Sequence, residues 1–338
     1  MTFDVHAHVV VPEITRDAGD GEAWRPRVYR DGAGAQVVEM GGREIRAAIA
    51  EFVDIEGILA AQDEAGVDRV LLCPWVPLLY YDAEPEEGLW RARIQNEALS
   101  GLVRDHPERV SALGALPLQD PELAAGEIRV LMEGGELGGV EVAASVRGVF
   151  LGDDRFEPFW HAAEEAGALV FVHPTTRGFD SPAFQDYYLW NTVANPLETA
   201  TTAAHMVVAG VMERHPRLRV LLAHGGGALL ATRGRLRHAH GFQPQARSRL
   251  RESPDDSIRR FFFDTLTHDE ALLRALIDYA GHDHVLLGSD YPFDMGDPRH
   301  VDTVRALRLE PDVEAAVLAR NAERLLGFEP ARRQESLT

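Results

Sequence analysis

Lysine is absent from this 338-residue sequence, and all 34 of its basic residues are arginine. That excludes a Schiff-base lysine and a carboxylated lysine bridging two metals. A metal site here must rely on histidine and carboxylate ligands and is expected to hold one ion. Cysteine is nearly absent. The single thiol, Cys73 in the apolar run Arg69-Val-Leu-Leu-Cys-Pro74, excludes an internal disulfide and suits a reducing compartment. It reads as a buried strand residue rather than a nucleophile. No apolar run reaches the roughly 18 residues of a membrane span. The chain also enters its first strand directly, so a soluble, cytoplasmic protein without a signal peptide is expected. No Gly-x-Gly-x-x-Gly follows an early strand, which leaves no sign of a dinucleotide site. Positive charge is scarce too: 34 basic against 54 acidic residues give a formal charge of −20. Such a surface repels nucleic acid and anionic membranes. An anionic substrate would then need local positive charge, from arginine or a metal.

What is present is a regular alternation. Short, continuous apolar runs recur near residues 3, 70, 112, 141, 170, 221, 263 and 287. They read as parallel strands buried on both faces. Helical stretches separate them, among them Asp54–Ala65, Trp90–His106, one from near Pro196 to about Glu213, and Val313–Leu326. Eight strands alternating with helices predict an α/β fold, a (β/α)8 TIM-like barrel; a doubly wound open sheet is the alternative. Residues 1–328 are expected to form this single domain, followed by a polar tail, 329–338. An insertion spans about 11–49. In it Arg27-Val-Tyr-Arg30 and Gln36-Val-Val-Glu-Met40 flank Asp31-Gly-Ala-Gly34, which predicts a small hairpin. So long a loop is functional in most compact domains, for example as a lid.

In a barrel, chemistry sits at the C-terminal strand ends. His6 and His8 lie on the first run, two apart, so their side chains share one face. His173 ends the fifth run, His224 the sixth and Asp290 the eighth. Each alone reads more simply as a satisfied core residue; five at strand ends point to a site. Three imidazoles and one carboxylate suit Zn²⁺ or a similar divalent ion with an open position. One histidine then remains for general acid–base work. Three glycines directly follow His224, as expected where backbone must approach a ligand closely.

The segments Asp4-Val-His-Ala-His8, Phe171-Val-His-Pro174, Leu222-Ala-His-Gly-Gly-Gly227 and Leu287-Gly-Ser-Asp-Tyr-Pro-Phe293 together resemble the amidohydrolase-related superfamily. Within it the resemblance is to the branch of 2-amino-3-carboxymuconate-6-semialdehyde decarboxylase. It runs to about Gly327 and includes Ala115-Leu-Pro-Leu-Gln119 and Asn195-Pro-Leu-Glu-Thr199. The resemblance implies one zinc held by His6, His8, His173 and Asp290, with His224 as the catalytic histidine. It also implies that Arg46 holds a substrate carboxylate; without the family, Arg46 reads as a solvated surface charge. Arg235 matches an arginine that reaches a neighbouring subunit's active site, which implies a homodimer. The resemblance further implies that Trp190 and Phe293 contact substrate. The chain departs from the branch where Asn191 replaces a tryptophan, with Trp190 one residue earlier. Two extra residues also sit between Arg235 and His240-Gly-Phe242. Both differences bear on substrate identity and leave the metal ligands intact.

The expected activity is thus non-oxidative decarboxylation of a small unsaturated or aromatic acid, without an organic cofactor. A hydrolase or lactonase using the same residues is the alternative. A metal-binding but inactive barrel is a further one, which the five-residue site disfavours.

Overall fold

Every one of the eight apolar runs forms a strand in the computed structural model, which describes residues 1–15, 24–40, 43–46 and 49–328. The barrel strands are β1 (Phe3–Val9), β2 (Arg69–Pro74), β3 (Val110–Ala112), β4 (Gly139–Ala143), β5 (Leu169–His173), β6 (Arg219–Leu222), β7 (Phe262–Asp264) and β8 (Val285–Leu286). β1 pairs with β2 and β2 with β3, all parallel. β4 to β8 form a second parallel run in chain order. A bridge between Gly114 and Val140 joins the two runs. The ring closes where β8 returns to β1: Val5 N–H donates to the Leu287 carbonyl at 2.8 Å and Asp290 N–H to that of His6 at 2.6 Å. This is the expected barrel, and the open sheet is set aside.

Closure removes every barrel edge, so all seven residues of β1 are buried. Phe3, Val5, Leu71, Leu169, Phe171, Leu221 and Leu286 fill the interior, and Cys73 joins them with no exposed surface. Burial pushes its thiol well above the usual range, in keeping with a packing role. Around the ring, helices α1 (Ile55–Glu64), α2 (Pro85–Asp105), α3 (Pro121–Gly134), α4 (Glu157–Ala166), α5 (Asn195–Val208), α6 (Leu229–Phe242) and α7 (Glu270–Ala280) pack outside. Their starts follow local chemistry: the Asp54, Asp120 and Asp269 carboxylates each accept a first-turn N–H of α1, α3 and α7.

Four expectations needed correction. α2 starts at Pro85 rather than Trp90, because proline at a first helical position needs no N–H partner. The helix expected to run to Glu213 stops at Val208, since Gly210 takes φ 74°; a short helix, Val211–Arg214, follows. The last helix is divided by a π-turn, Ala316–Arg320, between Pro311–Ala315 and Asn321–Leu326. The inserted hairpin has a third strand: Arg27–Arg30, Gln36–Met40 and Arg43–Arg46 make an antiparallel sheet. Val37, Val38, Ile49 and Phe52 bury this insertion against the body. The tail 329–338 lies outside the described residues.

Candidate metal centre

The strand ends converge on one point. His6 and His8 bring their Nε2 atoms to 3.1 Å of each other, although the register of β1 on β2 shifts between Asp4 and Ala7. Asp290 Oδ1 stands 3.1 Å from each of these nitrogens and 3.9 Å from His173 Nε2. All four residues are buried, and their ligand atoms lie within 4.8 Å of one another. The ring orientations are set from behind. Nδ1–H of His6 donates to Asp264 Oδ2 at 2.7 Å, that of His8 to the Pro74 carbonyl at 3.3 Å and that of His173 to the Pro174 carbonyl at 3.0 Å. With Nδ1 protonated, each Nε2 turns a lone pair inward.

Those lone pairs need a cation. Two imidazole nitrogens 3.1 Å apart repel unless a proton or metal lies between them. His173 Nε2 and Asp290 Oδ1 are buried with no hydrogen bond to satisfy them. Tetrahedral bonds of about 2.0–2.1 Å place ligand atoms about 3.3 Å apart, and the observed separations bracket that value. His6, His8, His173 and Asp290 therefore fit a divalent ion.

Electrostatics agree. Burial works against an imidazolium at His6, but Asp290 and Asp264 outweigh it and push His6 up to about 10. Burial holds His8 below its ordinary value. Burial and the neighbouring imidazoles hold His173 well below. Burial also opposes charge on Asp290, yet His6, His224 and His8 keep its carboxyl well below the usual range. In metal-free protein, His6 thus carries a proton where the ion would sit. Metal uptake at neutral pH is expected to release about one proton, and apparent affinity to rise with pH until His6 deprotonates near 10. Calorimetry in buffers of different ionisation enthalpy measures this. Uptake without proton release would contradict the arrangement.

Sequence reasoning missed Asp264. It ends β7, fully buried, and accepts the His6 Nδ1–H together with the N–H groups of His224 at 2.9 Å, Gly225 at 2.7 Å and Leu266 at 3.0 Å. One carboxylate thus ties a metal ligand to the His224 turn. Its signal was available: a carboxylate at the C-terminal end of the seventh apolar run. Asp264→Asn leaves one oxygen for four donors, so metal affinity is expected to fall about 10–100-fold. Competition with a chromophoric chelator reads this, and an unchanged affinity would contradict it. Asp4 has a parallel role. It accepts from the N–H of His6 at 2.9 Å, the N–H and hydroxyl of Ser289, and Gln62 Nε2 at 2.9 Å, clamping β1 to β8 beside two ligands. Glu141, also fully buried, has both carboxyl oxygens unpartnered. Burial pushes its carboxyl well above the usual carboxylate range.

His224 stands at the rim, its Nε2 3.3 Å from Asp290 Oδ2 and its side chain 16 % exposed. The glycines after it serve packing. A Cβ on Gly227 would lie 2.1 Å from the Pro196 carbonyl oxygen, so the close approach is to backbone rather than to a ligand.

A cavity of about 1670 Å³ opens over the centre. Trp190 and Phe293 both line it, and so does Asn191, whose Nδ2 donates to Tyr188 OH at 3.3 Å. Phe293 packs edge-on against His8 and Phe52, with ring centroids 5.0 Å apart in each case. Arg46 also lines this cavity. Its side chain is 76 % exposed and pairs through Nε with Asp31 Oδ2 at 3.2 Å, a solvent-screened pair. Arg235 does not line it; it is exposed on α6.

The chain is similar to known proteins over most of its length. Residues 3–328 match the family described as amidohydrolase. The chain is 32 % identical over 259 residues to 2-amino-3-carboxymuconate-6-semialdehyde decarboxylase of Dictyostelium discoideum, covering 75 % of this chain and 72 % of that protein. The crystal structure of 5-carboxyvanillate decarboxylase from Sphingomonas paucimobilis superposes with a TM-score of 0.79 at 26 % identity, over 97 % of this chain and 99 % of that one. A dihydroxybenzoic acid decarboxylase from Polaromonas sp. JS666, solved with bound manganese and an inhibitor, shares the fold with a TM-score of 0.78 at 21 % identity, over 98 % of each chain. Among the described residues, no helix is long and apolar enough to cross a membrane.

Proposed function

The chain belongs to the amidohydrolase family, and on that premise we propose that it is a zinc-dependent, non-oxidative decarboxylase of a small unsaturated or aromatic acid. The substrate we favour is 2-amino-3-carboxymuconate-6-semialdehyde or a close analogue. The observation that carries this is the buried His6–His8–His173–Asp290 set with His224 poised at its edge. The Dictyostelium relative supports the choice of substrate.

When bound, a divalent cation supplies a Lewis acid that neutralises and polarises the substrate carboxylate. The chain's own residues do the rest. Phe293 and Trp190 offer faces to a flat, conjugated acid and exclude water from one side of it. Arg46 neutralises carboxylate charge at the mouth. Breaking the C–C bond releases CO₂ and leaves an electron pair on carbon, which the conjugated system delocalises. A proton must then reach that carbon. His224 Nε2, held beside Asp290 Oδ2, is the group placed to deliver it. Arg235, exposed on α6, is assigned to the cavity of a second copy in a homodimer. The protein is assigned to the cytoplasm.

Incubating metal-loaded protein in ¹⁸O-water with the semialdehyde and a panel of hydroxybenzoates tests this. CO₂ release with no label in the product of a hydroxybenzoate, and none beyond aldehyde exchange in that of the semialdehyde, is the expected result. Label in product without CO₂ would favour the hydrolase or lactonase reading instead.

A further inference from the structure

The cavity offers an anionic substrate few cations. Among the described residues lining it, these are Arg46 and Arg177, set against carboxylates such as Glu44, Glu51, Asp180, Asp186, Asp294 and Asp297. Arg46 belongs to the inserted sheet and is largely in solvent. Arg177 is placed differently. Its side chain is 32 % exposed, and it stands four residues after the ligand His173 on the same loop. That loop is tied to the one carrying Phe293 by Tyr188 OH, which donates to Asp294 at 2.7 Å. The segment that carries Arg177 is thus held at His173 and at Tyr188.

The backbone around it is unusual. Thr176, Phe179 and Asp180 take φ of 59°, 56° and 51°, left-handed conformations that side-chain-bearing residues rarely adopt and that cluster at ligand clamps. The guanidinium is not fully engaged. Nε meets Asp180 at 3.0 Å and Nη1 meets Asp82 at 3.4 Å, but both carboxylates are exposed, at 65 % and 77 %. Nη2 has no hydrogen bond among the described residues. Exposed pairs of this kind are weak, so they exchange readily for an anion held inside the cavity, where charge-assisted bonds are stronger.

We propose that Arg177 anchors the carboxylate that the favoured dicarboxylic substrate keeps. One carboxylate leaves as CO₂ and the other rests on the Arg177 fork. This rests on the decarboxylase reading above and selects, within it, the carboxymuconate-like acids over simple hydroxybenzoates.

The probes are isophthalate and benzoate, flat acids differing by one carboxylate too distant to chelate. Each is titrated calorimetrically into metal-loaded protein. Wild type is expected to bind isophthalate at least about tenfold tighter than benzoate, the margin of one charge-assisted bond. Arg177→Gln should erase that margin while leaving benzoate affinity and metal content unchanged. Arg46→Gln should weaken both acids alike and keep the margin. A margin that survives Arg177→Gln, or is lost instead in Arg46→Gln, overturns the assignment. If benzoate binds and CO₂ release persists under either of those results, only the Arg177 proposal falls. If isophthalate does not bind wild type more tightly than benzoate, the Arg177 proposal falls, while CO₂ release from the semialdehyde decides the decarboxylase reading separately.

Discussion

Asp290→Ala is expected to leave the protein folded but without its metal. Asp290 Oδ1 sits 3.1 Å from Nε2 of both His6 and His8 and is the one charged ligand of the set. Removing it deletes a ligand and the anion that offsets the cation's charge. Loss of an outer partner alone costs metal affinity about 10–100-fold, so losing this ligand should cost more than about 100-fold. Metal content after dialysis, read by emission spectroscopy, would fall to near zero, and turnover with it. The effect spreads, because Oδ2 of the same carboxylate also holds His224 Nε2. Full occupancy in Asp290→Ala would overturn the ligand assignment.

His224→Asn separates chemistry from binding. The His224 N–H is held by Asp264, and its φ is 58°. Asparagine tolerates that left-handed conformation better than most residues, so the turn should persist. None of the four metal ligands is touched, and metal content should match wild type. What disappears is the group beside Asp290 that exchanges a proton. General acid–base residues contribute about 10²–10⁴-fold to rate, and kcat for CO₂ release should fall within that range with little change in KM. A variant that keeps wild-type kcat would remove His224 from the mechanism. A variant that loses its metal would instead place His224 among the ligands.

These residues were legible because the physics that positions them is sequential. Parallel strands buried on both faces must be apolar throughout, so a histidine or aspartate closing such a run stands out. His173, His224 and Asp290 each did so. Asp264 closes the run Phe261-Phe-Phe-Asp264 in the same way. It was passed over because its role is to hold His6 and the His224 turn, a contact made 258 residues away in sequence. The strand Arg43–Arg46 was invisible for another reason: it is polar at both ends and edges a small sheet, so no apolar alternation marks it. The π-turn at Ala316–Arg320 packs against β1 and β8, a tertiary demand that local periodicity does not carry. Arg177 gave no sign, since an arginine between polar residues reads as solvated surface. Only the cavity reveals what it faces.

The central claim is that one metal ion per chain, held by His6, His8, His173 and Asp290, makes this barrel a decarboxylase. Stripping the protein with a chelator and adding zinc back in steps, while following CO₂ release from 2-amino-3-carboxymuconate-6-semialdehyde, tests it most directly. The account predicts silence in the stripped protein and a linear return of activity that saturates at one ion per chain. Undiminished CO₂ release from metal-free protein, or saturation only at two ions per chain, would contradict it.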